Sequence, residues 1–401
     1  MPKSKQSSII LFCQGGAGDV LAHTPMIRYF RNKYPDDKIV VTSTYSQLLD
    51  NNPNIDLVVP LKDPKDFYTE HVLNKNVRFF KKHFVYDAIM DEPAMGCKNL
   101  PEFICKVYGA EYDGKPLDYI ISDYERRAAK TFVDQYRPFN KPIVLLHCTG
   151  SIPSDGAFNK TNSLKDLKID TVNKLVDRLK DKVIFIHVGL EGEPKVTGAI
   201  DALGTPMRDA IALIGLVDTY ILIESLFAHC SNALGTSGLV VFQNTSPNFF
   251  GYSNNYNLSF NGGCEVWPCN RPVGALLDLA PGYRNPKTRQ PLLWECPNQV
   301  CANIPVEELE KSLLTALEDL QKKKVQKGNP ALEAARRTPP PSAQKFSLVD
   351  APTQGKVIAG DVNTVLEPAV QMATLFSNVN DEIAEIGTTP LSRVNDQQEM
   401  P

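Results

Sequence analysis

The sequence predicts an α/β protein built on two parallel sheets. Two observations carry this prediction: short runs of β-branched and aliphatic residues alternate with amphipathic helical segments, and the alternation occurs twice, with a charged segment between. Strands that helices cover on both faces read as continuous apolar runs, as these do. We therefore expect two domains, residues 1–140 and 141–324, and then a tail of different composition, residues 325–401.

The elements of the first domain follow one another closely. Residues 9–13 form an apolar run that predicts the first strand, and a glycine-rich turn separates this strand from a helix predicted over residues 20–34. Pro35 ends that helix because the residue before a proline disfavours the helical conformation. Two further strands are predicted over residues 39–42 and 57–59.

The pattern restarts after Pro142. Strands are predicted over residues 143–147, 183–189, 220–223 and 238–242, and helices over residues 169–179, 225–234 and 306–324. Two such sets predict two Rossmann-like domains that face each other. The tail contains three consecutive prolines and only two aromatic residues, so it is predicted to form no core of its own and to be largely extended.

Composition narrows the class of function. The chain has 401 residues with 43 Lys+Arg against 46 Asp+Glu, a net charge of −3. Proteins dedicated to nucleic acid normally carry a basic excess, so this balance argues against such a partner. No apolar run approaches the ~20 residues that span a bilayer, and nine scattered cysteines fit reduced thiols rather than a disulfide framework. We expect a cytoplasmic protein without a transmembrane segment.

A glycine-rich loop, Gly15-Gly16-Ala17-Gly18-Asp19, joins the first strand to the first helix. Glycines at this place let the backbone approach a phosphate at a helix N-terminus. The dinucleotide-binding pattern is not met, because Leu21 stands where its third glycine belongs and residues 42–44 offer no acidic group at the end of the second strand. We therefore predict no organic cofactor.

Three motifs lie close together in the first sixty residues: Gly16-Ala17-Gly18-Asp19-Val20-Leu21, Thr24-Pro25, and the Asn- and Pro-rich stretch over residues 48–56. With later motifs, over roughly residues 8–320, they resemble glycosyltransferase family 9, the heptosyltransferase-like group. The resemblance implies the GT-B fold of two facing Rossmann-like domains. It also implies transfer of a sugar from an ADP-heptose-like nucleotide donor to a hydroxyl, by inverting displacement without a catalytic metal.

Asp19 is the candidate catalytic base. Sugar transfer to a hydroxyl needs a group that takes the acceptor proton, and a carboxylate at the mouth of a glycine loop can reach a cleft. The alternative is that Asp19 caps the helix that follows it, as acidic residues near helix starts commonly do. Gly16 and Gly18 are the glycines expected to shape this acceptor-side loop.

The donor is expected to lie against the second domain. By resemblance, the loop after residues 143–147 contributes Thr149, Gly150 and Ser151, and a lysine near the donor phosphates neutralises charge on the leaving diphosphate. Lys160 takes that role by position, and Lys165 is its competitor.

A second donor motif lies at residues 223–235. Glu224 and Ser225 open a helix that is expected to accept a diphosphate at its exposed N–H groups, and His229 follows one turn later. Here Leu226-Phe227 replace the family's usual Gly-Pro, which departs from its pattern. The resemblance also suggests an acidic contact to the donor ribose upstream, and Asp201 is the nearest by offset.

Four cysteines follow the donor motifs as two close pairs, Cys264 with Cys269 and Cys296 with Cys301. Two close pairs of thiolates are how a structural zinc or iron site is commonly assembled. The spacing is wider than in a standard zinc knuckle, and isolated buried thiols are the alternative. Four protein thiolates leave no open position, so such a metal would take no part in sugar transfer.

Two other functions remain open. The chain could be a non-catalytic relative that binds carbohydrate or acts as a scaffold, attached to an assembly through residues 325–401, and the altered Leu226-Phe227 favours this alternative. A nucleotide-sugar epimerase of similar fold is the weaker one. If the chain is a transferase, its expected partners are a nucleotide sugar and a glycan, lipid-linked glycan or protein acceptor.

Overall fold

Two parallel sheets form the framework, as predicted. A computed structural model describes residues 7–60, 67–73, 75–81, 96–150, 165–264, 267–268 and 300–326. The described residues all belong to one compact unit within residues 1–345. The part of the predicted tail that follows residue 326 lies outside the described residues.

The first sheet has four described strands in the order β3-β2-β1-β4, and all its pairs are parallel. They are β1 (Ser8–Phe12), β2 (Lys38–Ser43), β3 (Leu57–Pro60) and β4 (Val77–Phe80). Ile10 of β1 lies opposite Val40 of β2. The inner strands of this sheet, β1 and β2, are buried. Their residues are mainly aliphatic on both faces, as helix-covered strands require.

The second sheet has six described strands in the order β10-β9-β8-β5-β6-β7, again all parallel. They are β5 (Ile143–His147), β6 (Ile184–Gly189), β7 (Ile200–Leu203), β8 (Thr219–Ile223), β9 (Leu239–Phe242) and β10 (Tyr256–Ser259). Strand order reverses between β5 and β8. Ligands of open parallel sheets bind beyond the carboxyl ends of the strands at such a point.

Nine α-helices are described along the two sheets. They are α1 (Ala17–Ala22), α2 (Thr24–Lys33), α3 (Leu100–Val107), α4 (Asp123–Asp134), α5 (Ile169–Leu179), α6 (Met207–Ile214), α7 (Leu226–Ala233), α8 (Pro247–Phe250) and α9 (Val306–Gln326). We call β1–β4 with α1–α3 the first lobe, and β5–β10 with α5–α9 the second lobe. Helix α4 joins them.

The prediction of a single helix over residues 20–34 is wrong, because the structure has two helices there, α1 and α2, which meet at His23. Pro25 has no N–H to donate to the Leu21 carbonyl. The Thr24 hydroxyl donates to that carbonyl instead, at 2.8 Å, and accepts the backbone N–H of Asp118 at 2.9 Å. The Thr-Pro pair thus turns the chain and satisfies the carbonyl that the proline leaves unpaired.

The core of the second lobe lies between its sheet and the helices α5 and α9. Leu146, Phe185, Leu309 and Leu313 are buried members of one apolar cluster. At the rim, the Arg178 guanidinium pairs with the carboxylates of two α9 residues, Glu307 at 2.7 Å and Glu310 at 3.0 Å. These contacts fix α9 on the second lobe.

Arg208 connects the two lobes. Its guanidinium pairs with Glu125 of α4 and donates to the carbonyl oxygens of Gln47, at 2.6 Å, and Ile120, at 2.7 Å. Glu125 is also the residue that completes the N-terminal cap of α4 with Ser122. One arginine therefore ties the second lobe to both the linker helix and the first lobe. In the described part of the chain, no helix is long and apolar enough to cross a membrane.

Candidate functional site

A cleft of about 660 Å³ lies between the carboxyl ends of the two sheets. The first lobe contributes the loop between β1 and α1, and the second lobe contributes the segments that follow β5, β6, β7, β8 and β9. These segments flank the reversal of strand order in the second sheet, where the topology favours ligand binding. Most of the site residues predicted from the sequence fall in or next to this cleft.

The β1–α1 loop holds Asp19 in the cleft wall. Gly15 has a φ of 109°, which favours glycine, and Gly16 caps α1. The Asp19 carboxylate accepts the Gly16 backbone N–H at 2.7 Å through Oδ2. Asp19 thus makes the capping contact that the sequence offered as the alternative, and it also lines the cleft. Its role as a base stays a prediction.

At Gly18 the two lobes approach each other closely. A Cβ atom at Gly18 would lie 2.5 Å from Cδ2 of His229, on α7 of the second lobe. His229 is 3% exposed, and its Nδ1 lies 2.6 Å from the Tyr252 hydroxyl. Burial lowers the pKa of His229 to about 3, and the positive charge of Lys165 acts in the same direction. His229 is therefore neutral and packs the interface between the lobes.

Lys165 and Glu224 form an ion pair on the second-lobe wall. The Glu224 side chain is 6% exposed and that of Lys165 is 31% exposed, so the pair is mostly removed from water. Lys165 Nζ also lies 5.9 Å from the centre of the Phe250 ring. The lysine predicted for the donor phosphates, Lys160, lies outside the described residues, as does Ser151; Lys165, its competitor, lies in the cleft.

The start of α7 lies against the end of β5. Ser225 occupies the N-cap position of the helix without a side-chain capping hydrogen bond, and its hydroxyl lies 3.3 Å from His147 Nδ1. The His147 ring stacks on Phe227 with centroids 4.3 Å apart, and burial, helped by His187, lowers the pKa of His147 to about 3. Leu226 and Phe227 both line the cleft, so the departure from the family pattern changes the wall of the site itself.

Two buried acids beside the predicted Thr149 and Gly150 were missed by sequence reasoning. Asp166 accepts the Gly150 N–H at 2.8 Å, and burial raises its pKa to about 6. Glu193 accepts the Leu190 N–H at 2.8 Å and the Thr149 hydroxyl, and burial raises its pKa to about 7. The signal available in the sequence was a strand that ends in glycine and is followed at once by acidic residues.

Asp201, the nearest acidic residue by offset, lies on β7 and pairs with Lys195 at 2.6 Å. In this part of the described chain, Glu193 is the acid that lines the cleft.

The predicted metal site is described only in part. Cys264 and Cys301 are described, whereas Cys269 and Cys296 lie outside the described residues. A Cβ atom at Gly262 would lie 2.6 Å from the Val300 carbonyl oxygen, so the segments that carry the two described cysteines run side by side. Among the residues that the structure describes, no three metal-binding side chains come together.

Fold and cleft together define a two-lobed α/β protein with a candidate ligand site between two parallel sheets. No protein-family model matches the sequence, and no curated protein matches it significantly. Solved structures do match, and the fold of this chain is similar to that of two glycosyltransferases from bacteria.

One is the glycosyl transferase family 9 protein from Veillonella parvula DSM 2008, at 13% identity and a TM-score of 0.52, with 80% of this chain and 99% of that chain covered. The other is the ADP-heptose LPS heptosyltransferase II from E. coli, at 12% identity and a TM-score of 0.51, with 79% and 99% covered. At such low identity the likeness shows the fold alone, and it confirms the predicted GT-B architecture.

Proposed function

We propose that this protein is a glycosyltransferase that moves a heptose-like sugar from a nucleotide diphosphate to a hydroxyl acceptor by inverting displacement. The observation that carries the proposal is that one cleft has the Asp19 carboxylate on its first-lobe wall and Lys165 with the start of α7 on its second-lobe wall. The fold shared with two glycosyltransferases supports it.

The reaction follows from the chemistry of these groups. Asp19 takes the proton of the acceptor hydroxyl, whose oxygen attacks the anomeric carbon of the donor sugar. The bond from that carbon to the diphosphate oxygen breaks, and the diphosphate leaves with the electron pair. The Lys165 ammonium and the backbone N–H groups at the start of α7 stabilise the negative charge on the leaving group. Lys160 is a second candidate for this task.

The neutral state of His147 and His229 is consistent with this division of roles. Both have pKa values of about 3, because burial disfavours the charged form. Neither supplies positive charge to a diphosphate near neutral pH, so the task falls to lysine. Thr149, Gly150 and Glu193 line the wall beside β5 and β6, where they offer hydrogen bonds to hydroxyl groups of the nucleoside.

A panel of ADP-, GDP- and UDP-sugars tests the proposal. A ligand that binds only the folded state raises its melting temperature, so the true donor class should stand out in a thermal-shift screen. The selected donor is then incubated with candidate glycan, lipid-linked and protein acceptors, and release of the nucleoside diphosphate is measured. Absence of any nucleotide-sugar binding to the wild-type protein would contradict the proposal.

A non-catalytic carbohydrate-binding or scaffold protein is the second candidate. Leu226 and Phe227 line the cleft at the start of α7, where bulky side chains hinder a close approach of phosphate. Under this alternative, sugars without a nucleotide bind and no donor is consumed. Removal of residues 330–401 separates the two candidates further. If the tail attaches the protein to an assembly, truncation abolishes association and leaves the melting temperature unchanged.

We also propose that Cys264, Cys269, Cys296 and Cys301 hold one structural zinc or iron ion. The adjacency of the segments around Gly262 and Val300 supports this, since it brings one member of each cysteine pair to the same region. Elemental analysis of protein purified without chelator should give one metal per chain, and any one Cys→Ser change should lower metal content and stability together. A content near zero with native, titratable thiols would refute the metal.

A further inference from the structure

The end of the cleft beyond β9 carries a buried hydroxyl with unused hydrogen-bonding capacity. Thr245 is 3% exposed and lines the cleft. Its Oγ1 is buried and has no hydrogen-bond partner in the part of the chain that the structure describes. A buried polar group normally has a partner, because leaving it unpaired costs free energy of folding. An unpaired hydroxyl on a cleft wall therefore points to a ligand group that pairs with it.

An aromatic ring lies at the same end of the cleft. Phe250, five residues after Thr245, also lines it, and the Phe249 ring packs edge-on against Phe250 at 5.0 Å between centroids. Sugar rings present C–H groups on their faces and hydroxyl groups at their edges. An aromatic face beside a hydroxyl provides both complements: an apolar surface for the C–H groups and a hydrogen bond for the edge.

Asp19 lies close to this end of the cleft. Tyr252 follows Phe250 by two residues, and its hydroxyl contacts His229, which packs on Gly18 of the Asp19 loop. Burial raises the pKa of the Tyr252 phenol well above its usual value, and Asp19 is among the charges that raise it further. Asp19 is thus close to the segment that carries Phe250.

Away from β9, the cleft extends beyond β6, where Glu193 and Leu190 line it, and on to Thr205 and Met207 after β7. Strands β9 and β6 are three strand intervals apart in the sheet. At about 4.8 Å for each interval, the parts of the cleft beyond β9 and beyond β6 are separated by roughly 14 Å. That span suits an elongated ligand with different groups at its two ends, such as a nucleoside diphosphate bonded to a sugar.

We propose that Thr245 and Phe250 bind the ring of the transferred sugar, with Thr245 Oγ1 hydrogen-bonded to a sugar hydroxyl, and that this pair sets the preference for the sugar of the donor. The inference rests on the proposed function and deepens it. It orients the donor along the cleft, with the sugar ring beyond β9 next to Asp19 and the nucleoside beyond β6.

Calorimetric titration tests the proposal with matched pairs of ligands, ADP against ADP-heptose and the corresponding GDP and UDP pairs. Thr245→Val removes the hydroxyl and keeps the shape. It should weaken binding of the nucleotide sugar by about 3-fold to 15-fold, the range for one hydrogen bond, and leave the nucleoside diphosphate unchanged. Thr245→Ser keeps the hydroxyl and should retain most of the wild-type affinity. Phe250→Leu should weaken binding of the sugar-bearing ligand more than that of the nucleoside diphosphate, since the ring also lies beside Lys165.

Thr42→Val is the matched control. Thr42 is fully buried on β2, its Oγ1 likewise has no partner among the described residues, and it does not line the cleft. Both valine variants should melt at or above the wild-type temperature, because each removes an unpaired buried hydroxyl. Only Thr245→Val should change sugar binding.

The possible outcomes distinguish failure of the proposed function from failure of the proposed sugar site. If no nucleotide or nucleotide sugar binds the wild-type protein, the proposed function fails. If nucleotide sugars bind the wild-type protein and Thr245→Val equally well, the sugar site beyond β9 is wrong while the proposed function stands. A lower melting temperature for Thr245→Val, with equal losses for both ligands of a pair, would show that Thr245 has a structural role instead.

Discussion

The two walls of the cleft are built on different principles. The first-lobe wall presents mainly backbone, through the loop that contains Gly16 and Gly18, and the Asp19 carboxylate is the one charged group it contributes in the described chain. The second-lobe wall carries Lys165, Glu224, Glu193 and two histidines, most of them buried. The second-lobe wall thus consists mainly of buried side chains, while the first-lobe wall presents one carboxylate on a glycine-rich turn.

Because of this difference, we expect substitutions in the two walls to affect folding stability to different extents. Buried polar networks are costly when incomplete, so changes in the second-lobe wall should alter folding as well as binding. Changes at Asp19, whose partner is a backbone N–H near the surface, should alter the reaction far more than the fold.

The largest expected effect is that of Asp19→Asn on turnover. Asparagine can still accept the Gly16 N–H, so the loop should keep its structure, but it cannot take a proton. Loss of general-base assistance should lower kcat by about 100-fold to 10,000-fold, with donor affinity changed less than about twofold. Steady-state kinetics and calorimetric titration measure the two quantities, and Asp36→Asn, an exposed first-lobe change outside the cleft, is the control. Wild-type turnover in Asp19→Asn would show that the first-lobe wall does not supply the catalytic base.

Lys165→Met should show the opposite pattern, a loss of folding stability together with a loss of donor binding. The change leaves the Glu224 carboxylate buried without its cation, which we expect to cost about 2–3 kcal/mol of unfolding free energy. The double variant Lys165→Met, Glu224→Gln should recover most of that stability and none of the binding. Denaturant unfolding checks the first statement. A double variant no more stable than Lys165→Met would show that Glu224 does not depend on the pair.

Glu193→Gln should become more stable than the wild-type protein as the pH rises. The pKa of Glu193 is about 7 in the folded protein, against an unfolded value near 4.3, so the folded state favours the protonated acid. The wild-type protein therefore loses stability between about pH 4 and pH 7, and the loss is complete above pH 7. Glutamine does not titrate, so the advantage of the variant should grow from near zero at pH 4 by about 1.4 kcal/mol for each pH unit and should level off above pH 7.

The comparison for this pH effect is Glu191→Gln, which changes an exposed acid on the same loop. Its stability difference from the wild-type protein should stay flat across the same pH range. A flat difference for Glu193→Gln as well would mean that the second-lobe wall does not hold a neutral acid.

The smallest expected effect distinguishes two glycines of the first-lobe loop. A Cβ atom at Gly18 would meet His229 at 2.5 Å, whereas one at Gly16 would lie 3.5 Å from the Asp19 carboxylate, an ordinary contact. Gly18→Ala should therefore cost about 1–2 kcal/mol of unfolding free energy, and Gly16→Ala less than about 0.5. Equal melting temperatures for the two variants would mean that the lobes adjust to the added methyl group.

The sequence predicted the strands that carry the second-lobe wall because these strands are long aliphatic runs. Strand β5 has the predicted bounds, and β8 and β9 each differ by one residue at one end. It did not predict β4, β7 or β10, since each has four residues, includes polar or charged side chains and lies at an edge of its sheet in the described chain.

Within the candidate site, the sequence predicted the motifs near the strand ends but not the isolated acidic residues. Asp19 and Glu224 stand in recognisable patterns and both line the cleft. Burial raises the pKa values of Asp166 and Glu193, and hydrogen bonds from Gly150 and Thr149 act in the opposite direction. Burial of this kind depends on tertiary packing, which spacing along the chain does not encode. The choice between Lys160 and Lys165 stays open, because it needs a loop whose first part lies outside the described residues.

The contact between Gly18 and His229 has a consequence for how this protein can diverge. A residue without a side chain on one lobe meets an imidazole on the other, so a larger residue at position 18 destabilises the protein unless the side chain at position 229 becomes smaller. Homologous chains should therefore show correlated substitutions at positions 18 and 229, with a larger residue at 18 appearing only where 229 has become smaller. Such covariation would show that the distance between the two lobes at this contact has been kept constant among homologues.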